Sequence, residues 1–377
     1  MNTPAFIVGN GLSIALSKDF ALISITHKFI ASLSGSDKAF LQDLSFSNGV
    51  DLNFDDFEQN FSSLETALDC LKKYNQFICS DVGEKFIKKY KLIDPELVKH
   101  EEIIERIYKQ YITQILTLIQ GNVRLDAITK NLMPFCNFLK HKVESSTNTY
   151  IFSLNYDLLI ETILLQYLSS GVFTDFCFTS GKLAGTTIEK FDFNPQRSHE
   201  IYLSPDRNTE LHHLHGSLSL FYDHKINRAV KLKSEDISLE NIYKKIAQEK
   251  LPLIPAIITG GGKSDKIVQY PFDFYYRAVK DICDSGQASE LYIIGYSFRD
   301  EHINDLIIRW TKNVEKYENG LRIVDYKTDE TEKEEFKKFV RSQIPKRPKL
   351  PDECFIFDGV NGIVECIGTK AKEKTRT

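Results

Sequence analysis

Two short polar motifs in the sequence carry side chains that could perform acid–base chemistry. The first is SLNYD, which contains Asn155 and Asp157, and the second is LHGS, which places His215 before Gly216. A histidine titrates near neutral pH and can take or give a proton, while an amide nearby can hold the reacting group. Asn155, Asp157 and His215 are therefore the candidate catalytic residues.

The SLNYD motif also has a purely structural interpretation. Asn155 could cap the helix predicted over residues 158–168, and Asp157 in the first turn would complement the dipole of that helix. This interpretation does not explain why so polar a tripeptide follows a predicted strand, at the edge where open α/β sheets bind their ligands.

The histidine cluster could instead bind a metal. His212, His213 and His215 have HxH spacing, but no cysteine or carboxylate nearby has matching spacing. In an extended segment His213 and His215 would share one face and His212 would point away. We expect no metal here, and we interpret His212 and His213 as buried core histidines.

Two glycine-containing turns follow apolar runs, GNGLS near the N-terminus and GYSFRD near residue 300. Glycines after a strand let the backbone approach a diphosphate, and the next helix offers free N–H groups to it. The first turn departs from GxGxxG because position 14 is Ile14, so a tight strand-to-helix turn explains it equally well. The candidate nucleotide-binding residues are Gly9, Asn10, Gly11, Ser13, Gly216, Gly295 and Ser297.

A third glycine-rich segment, GGGKS at residues 260–264, lacks the first glycine of a phosphate-binding P-loop, since position 257 is Ile257. We interpret it as a loop close to the nucleotide. GYSFR also lacks the second glycine of a serine-hydrolase elbow.

The elements that must position these motifs are short apolar runs bounded by turn residues. Most are apolar on both faces, which is typical of a parallel sheet covered by helices on either side. The predicted fold class is α/β, a Rossmann-like doubly wound parallel sheet. The predicted strands are residues 5–8, 149–153, 253–259, 290–294, 321–325 and 354–357.

The segment between the first two strands is far longer than a crossover requires and shows helical spacing of Leu, Ile and Phe. It predicts a large helical insertion after the first strand, and residues 191–248 predict a smaller insertion with a hairpin. The predicted helices of the first insertion are 54–73, 82–90, 95–119 and 125–143. The predicted domains are a nucleotide-binding sheet domain (1–35 and 145–330), an inserted helical subdomain (36–144), and a C-terminal strand with a basic tail (331–377).

Composition excludes several classes of protein. The chain has 377 residues, 42% of them hydrophobic, and a formal charge of -4, so general attraction to nucleic acid is not expected. Its seven cysteines are scattered and never in CxxC spacing, which argues against a zinc ribbon. Because no signal-peptide pattern or membrane span is evident, we expect a cytoplasmic protein without membrane association.

The motifs together carry a resemblance. GNGLS, SLNYD, LHGSLSLFYD, PLIPAIITGGGKSDKI and YIIGYSFRDEHI, in this order, are similar to the sirtuin-like NAD-consuming domains of bacterial antiphage defence systems. The similarity covers about residues 1–325. It implies a Rossmann-type domain that binds NAD as its substrate and hydrolyses the nicotinamide–ribose bond, depleting cellular NAD in abortive infection.

The resemblance also implies roles for individual residues. Asn155 would hold the nicotinamide ribose or the attacking water, His215 would act as general base, and Asp157 would orient the pair. The residues of GNGLS would hold the phosphates, with Gly295 and Ser297 at the adenosine end. The stretch Asp55-Asp56-Phe57-Glu58 resembles the family's segment that opens the helical insert, although an acidic first helical turn explains it too.

Departures from the family's protein-deacetylating members are informative. There is no four-cysteine zinc ribbon and no GIPDFR-like segment after Ser13, so protein deacetylation is not expected. An enzyme that drains NAD needs a silent resting state, and no sensor domain is evident. We therefore expect activation by a separate sensor or activator protein, by a nucleotide signal, or by homo- or hetero-oligomerisation, with the helical insert as the contact surface. The alternatives left open are a non-catalytic NAD or ADP-ribose-binding module and a hydrolase of another N-glycoside.

Overall fold

The computed structural model describes residues 3–47, 57–78, 80–90, 97–168, 173–194, 208–223, 226–232, 238–259, 263–312, 320–345 and 350–363. Asp55, Asp56 and Gly260 to Gly262 lie outside these residues, as do Lys346 to Lys349 and the basic tail from residue 364.

A six-stranded sheet with every strand parallel to its neighbours organises the chain, in the order β11-β10-β9-β1-β2-β5. The first strand lies inside this sheet, so the turns that follow it and its two neighbours meet at one edge. The predicted α/β parallel sheet is confirmed. Its strands are β1 (Pro4–Val8), β2 (Asn148–Ser153), β5 (Asn208–His213), β9 (Glu290–Ile294), β10 (Leu321–Val324) and β11 (Phe355–Ile356).

Both faces of this sheet are covered, as a doubly wound fold requires. Alternate side chains of β1 enter two separate cores: Phe6 and Val8 pack in one, and Ala5 and Ile7 in the other. In the first core the ring of Phe6 stacks on that of Tyr292, with 5.1 Å between the ring centroids. The continuous burial of β1 explains why its sequence is uniformly apolar.

A second, five-stranded sheet follows β2 and is antiparallel. Its order is β3-β4-β7-β6-β8, so it is larger than the predicted hairpin. The prediction that residues 253–259 form a strand of the parallel sheet is wrong, because Leu253–Ile257 pairs antiparallel with β6. Burial on both faces makes a strand apolar whichever sheet it joins. The strands are β3 (Cys177–Lys182), β4 (Glu189–Phe193), β6 (Gly216–Asp223), β7 (Arg228–Leu232) and β8 (Leu253–Ile257).

Every described secondary-structure element between β1 and β2 is a helix. The predicted helix 125–143 is interrupted at Leu132, because Pro134 is tolerated only in a first helical turn and starts a new helix there. The helices are α1 (Asn10–Leu16), α2 (Leu22–Ser32), α3 (Gly35–Ser47), α4 (Phe57–Ile78), α5 (Asp81–Tyr90), α6 (Leu97–Gln120), α7 (Leu125–Asn131) and α8 (Met133–Glu144), with a 3-10 turn at Lys18–Phe20.

The strand β11 joins the parallel sheet through its pairing with β10. The remaining helices flank the two sheets. They are α9 (Leu159–Tyr167), α10 (Leu239–Ala247), α11 (Lys263–Lys266), α12 (Phe272–Ser285), α13 (Glu301–Thr311) and α14 (Glu330–Gln343), with a 3-10 turn at Asp352–Cys354. Among the described helices, none has the length and apolar character needed to cross a membrane.

Candidate active site

A cavity of about 560 Å³ lies where β1, β2, β9 and β10 end. The turns after these strands form one side of it, and the helical insert contributes residues such as Glu58. The predicted residues Ser13 and Gly216 are not among its lining. The predicted residues that line it are Gly9, Asn10, Gly11, Asn155, Asp157, His215, Gly295 and Ser297.

Asn155 is fixed by two hydrogen bonds from its amide nitrogen. Nδ2 donates to the backbone oxygen of Gly9 and to the hydroxyl of Ser13, each at 3.0 Å. Both amide hydrogens are thereby used, so the atom left to accept a hydrogen bond from a ligand is Oδ1. The position of Asn155 thus depends on the first glycine turn, across the β1–β2 pair.

Asp157 completes this network. The Ser13 hydroxyl donates to Asp157 Oδ2 at 2.6 Å, and the N–H of Leu159 donates to Oδ1 at 2.9 Å. Asp157 precedes the N-cap Leu158 and so lies before the first turn of α9, not in it as the structural interpretation expected, but the second bond still satisfies an N–H at the start of this helix. Burial raises the pKa of Asp157. Ser13, expected at the phosphates, is instead a buried link between Asn155 and Asp157.

The glycines of the two turns are explained by backbone contact. The N–H of Gly9 donates to Ile294 O at 2.8 Å and that of Gly11 to Gly295 O at 2.9 Å. A Cβ on Gly9 would lie 2.6 Å from Gly295 O, and Gly295 has φ +58°. The N–H groups of Gly9 and Gly11, residues expected to hold the phosphates, are therefore already bonded within the protein.

Gly216 has a comparable structural role. It has φ +91°, and a Cβ there would collide with the backbone oxygen of Ala256 in β8. The absence of a side chain at Gly216 lets β6 begin in close contact with β8, directly after His215.

His215 lies in a turn between β5 and β6 and is buried. Its Nε2 atom is 3.1 Å from Nε2 of His302, so one nitrogen donates and the other accepts. A hydrogen bond links the ring to the backbone of Leu154. Burial, aided by the charge of Lys263 and by His302, lowers the pKa of His215 to about 3, although the Asp300 carboxylate opposes the shift. The imidazole is therefore neutral at neutral pH.

A charged group lines the same cavity as this histidine. The ammonium of Lys263 lies 3.2 Å from Glu58 Oε2 and 3.1 Å from Asp300 Oδ1. Burial opposes the charge of Lys263, but the two carboxylates outweigh it and raise its pKa. Glu58 Oε1 is also 2.8 Å from the hydroxyl of Tyr156.

Sequence reasoning missed part of this group. It placed the GGGKS loop near the nucleotide and Glu58 in the segment that opens the helical insert, but it gave Lys263 and Asp300 no role and did not consider His302. The signal was present in YSFRDEH, where acidic and histidine side chains follow a strand end.

Arg299 and Asp325 also line the cavity, and Arg299 is exposed. The turn that carries Arg299 places the buried, non-glycine Phe298 at φ +57°, a left-handed conformation that costs energy and is typical of functional turns. The Asn304 amide donates to Phe298 O at 2.9 Å and so supports this turn.

A second polar cluster lies away from the cavity lining. Lys231 Nζ is 2.8 Å from Glu161 Oε2 and 2.6 Å from Asp175 Oδ2, and His213 Nε2 is 3.2 Å from Glu161 Oε1. Burial alone would raise the pKa of Glu161, but Lys231 and His213 hold it well below its usual value. In the described part of the chain Glu161, Asp175 and His213 could surround a metal ion, yet Lys231 already supplies the positive charge.

The three histidines of the sequence cluster consequently have different surroundings. His213 contacts Glu161, and His212 Nε2 lies 3.2 Å from Glu210 Oε2. The chain turns between β5 and β6, so His215 reaches the cavity and does not share a face with His213.

The comparison with known families identifies one family. The model of a family described as a domain of unknown function, DUF4917, matches residues 6–314. The chain belongs to the DUF4917 family. The match runs from β1 to just beyond α13 and includes every cavity-lining residue except Asp325.

No curated protein matches the chain. The description of DUF4917 carries no activity, so the resemblance to sirtuin-like NAD-consuming domains stays a prediction. Any activity of this DUF4917 chain must be argued from the site itself.

Proposed function

We propose that this DUF4917 protein is an NAD+ glycohydrolase, which cleaves the nicotinamide–ribose bond to give nicotinamide and ADP-ribose. The observation that carries the proposal is the meeting of Asn155, Asp157 and His215 in one cavity at the carboxyl edge of a parallel sheet. Open α/β sheets bind nucleotides at this edge. The three residues come from two distant motifs, and capping or core packing alone gives no reason for them to share a cavity.

The cavity offers suitable groups along its length. Its volume lies within the range of small-molecule sites. Arg299 at the rim can pair with a diphosphate, and the carboxylate of Asp325 can accept hydrogen bonds from ribose hydroxyls. The carboxylates of Asp157, Glu58 and Asp300 favour the positive charge of a nicotinamide ring and of the sugar cation left by its departure.

The proposed reaction balances with water as the only co-reactant. The bond between ribose C1′ and the ring nitrogen breaks, and its electron pair leaves with nicotinamide, which becomes neutral. Water attacks C1′ and gives its proton to His215, while Oδ1 of Asn155 holds the water or a ribose hydroxyl in line. For this step the ligand must replace His302 as the partner of His215.

We propose further that the protein acts as a regulated effector that depletes NAD in antiphage defence. An activator protein, a nucleotide signal or assembly with other chains would relieve its resting state. The helical insert supplies Glu58 to the cavity, so a partner bound to that insert could influence the site.

One observation favours a second candidate, a non-catalytic NAD or ADP-ribose-binding module. In the structure His215 contacts both His302 and the backbone of Leu154, and its low pKa makes it a weak base. A module that only binds the nucleotide would tolerate such a histidine.

Release of free nicotinamide from NAD+ by the purified protein separates the two candidates. We expect release once the resting state is relieved by a candidate activator, and a loss of about 100-fold or more in Asn155→Ala and His215→Ala. His141→Ala, which alters an exposed histidine of α8, is the matched control and should behave as wild type. Binding of NAD+ by calorimetry without release under any condition would favour the binding module.

A further inference from the structure

Two lysines of the short helix α11 pair with two glutamates of α4 in the helical insert. Lys263 contacts Glu58, and Lys266 contacts Glu65. The hydroxyl of Thr259, at the end of β8, also donates to Glu65 Oε1 at 2.8 Å. The insert is therefore held against α11 by two charged contacts.

The two contacts differ in their position relative to the cavity. Lys263 and Glu58 line the cavity, whereas Lys266 and Glu65 are not among its lining. Lys263 also reaches Asp300 at the start of α13. Its ammonium thus joins the insert to the turn that follows β9.

We propose that Lys263 is a positioning residue through which the helical insert controls His215. Glu58 and Asp300 hold its ammonium in the cavity that His215 also lines, and a positive charge there disfavours a second one on the imidazole. The insert would then set the protonation of the proposed base through the place of one lysine.

The surroundings of both groups support this assignment. Lys263 faces Glu58 from α4 and Asp300 from the turn after β9. His215 lies 3.1 Å from His302 and lines the same cavity as Lys263, Asp300 and Leu154. Lys263 and His302 both disfavour the protonated ring, and Asp300 favours it.

This arrangement has a consequence for control of the proposed reaction, and that part of the inference rests on the proposed function. A base whose pKa lies far below the working pH accepts a proton poorly. Movement of α4 away from α11 would remove Glu58 from Lys263 and loosen the ammonium from its place. A partner that binds the insert would by this route make His215 a stronger base.

The decisive experiment compares Lys263→Met, Lys263→Arg and Lys266→Met. Histidine-selective isotope labelling and NMR titration would follow His215, whose signal is assigned by its absence in His215→Gln. We expect the titration midpoint to rise by about one pH unit or more in Lys263→Met, because the positive charge is lost. Lys263→Arg keeps the charge and Lys266→Met breaks only the outer contact, so both should retain the wild-type midpoint.

Two results would overturn the inference. An unchanged midpoint in Lys263→Met would show that the ammonium does not act on His215. An equal rise in Lys266→Met would show that docking of the insert acts without the charge of Lys263.

The titration needs no turnover, so it separates this inference from the proposed function. If wild type releases no nicotinamide but Lys263→Met shifts His215, the positioning role stands and the glycohydrolase proposal fails. If wild type releases nicotinamide and the midpoint is unchanged in Lys263→Met, the glycohydrolase proposal stands and the positioning role fails. Lys263→Gln, with a shorter polar side chain, provides the same comparison if Lys263→Met does not fold.

Discussion

Nε2 of His302 lies 3.1 Å from Nε2 of His215, and both rings are buried. One of the two nitrogens must carry the proton that the other accepts. The partner that the proposed reaction requires for His215, a water or a ribose hydroxyl, would have to occupy the place that His302 holds in this structure.

Replacing His302 should therefore make His215 more available. We expect His302→Phe to raise nicotinamide release at neutral pH by roughly tenfold, because the competing ring nitrogen is removed and the pKa of His215 increases. The pH dependence of release measures this change. His302→Gln, whose side-chain amide can still donate, should stay close to wild type. A loss of release in His302→Phe that His302→Gln restores would instead make His302 a necessary partner of the base.

Wild type and Asp157→Asn should differ in free energy of unfolding by an amount that depends on pH. Burial raises its pKa in the folded state, so its stabilising contribution is fully present below the ordinary value of about 3.9 and is lost as pH rises through the raised pKa. The free energy of unfolding of wild type relative to Asp157→Asn should accordingly fall as pH increases across this window. Urea unfolding of both proteins over a pH series tests the sign, and a difference that grows with pH would contradict it.

Lys231 should be essential for stability because it is the cation of a buried cluster. Lys231→Met leaves the carboxylates of Glu161 and Asp175 without their ammonium, and we expect a loss of about 3–5 kcal/mol in the free energy of unfolding at neutral pH. Urea denaturation measures the loss. The control is Lys244→Met, which breaks an exposed pair with Glu240 and should cost less than about 1 kcal/mol. Similar small losses in both variants would contradict the prediction.

The parallel sheet was predictable because its inner strands are buried on both faces. β1 and β9 are continuous apolar runs, and their predicted bounds differ from the observed ones by at most one residue. β5 was not predictable in this way, because its sequence NTELHH has no apolar run. It joins the sheet through backbone pairing with β2, which a pattern of side chains does not reveal.

The candidate site was also predictable only in part. Asn155 and His215 stand directly after strands or between them, and reasoning from strand ends predicted their common edge. The contacts of Ser13 with Asn155 and of Lys263 with Glu58 join residues far apart in the chain. Hydroxyl and ammonium groups occur throughout the sequence, so only the packing of the insert and the turns determines which of them meet.

The contact between the two glycine turns yields the last prediction. A Cβ on Gly295 would meet the backbone of Gly11, and one on Gly11 would come 2.5 Å from Gly295 Cα. Gly295 is also at φ +58°, where a side chain adds strain. Because backbone atoms on both sides cannot move aside independently, we expect Gly295→Ala to lower the free energy of unfolding by about 3 kcal/mol or more.

The same substitution should affect the site, since Gly9 in the first turn accepts the hydrogen bond from Asn155. NAD+ affinity, measured by calorimetry on the folded fraction, should fall together with stability. Gly121→Ala is the matched control, because a Cβ there meets nothing within 4 Å and alanine at such a position changes stability by less than about 1 kcal/mol. If Gly295→Ala and Gly121→Ala have similar free energies of unfolding, the two glycine turns can move apart without loss of stability. Their contact would then not be what fixes Asn155 at the edge of the sheet.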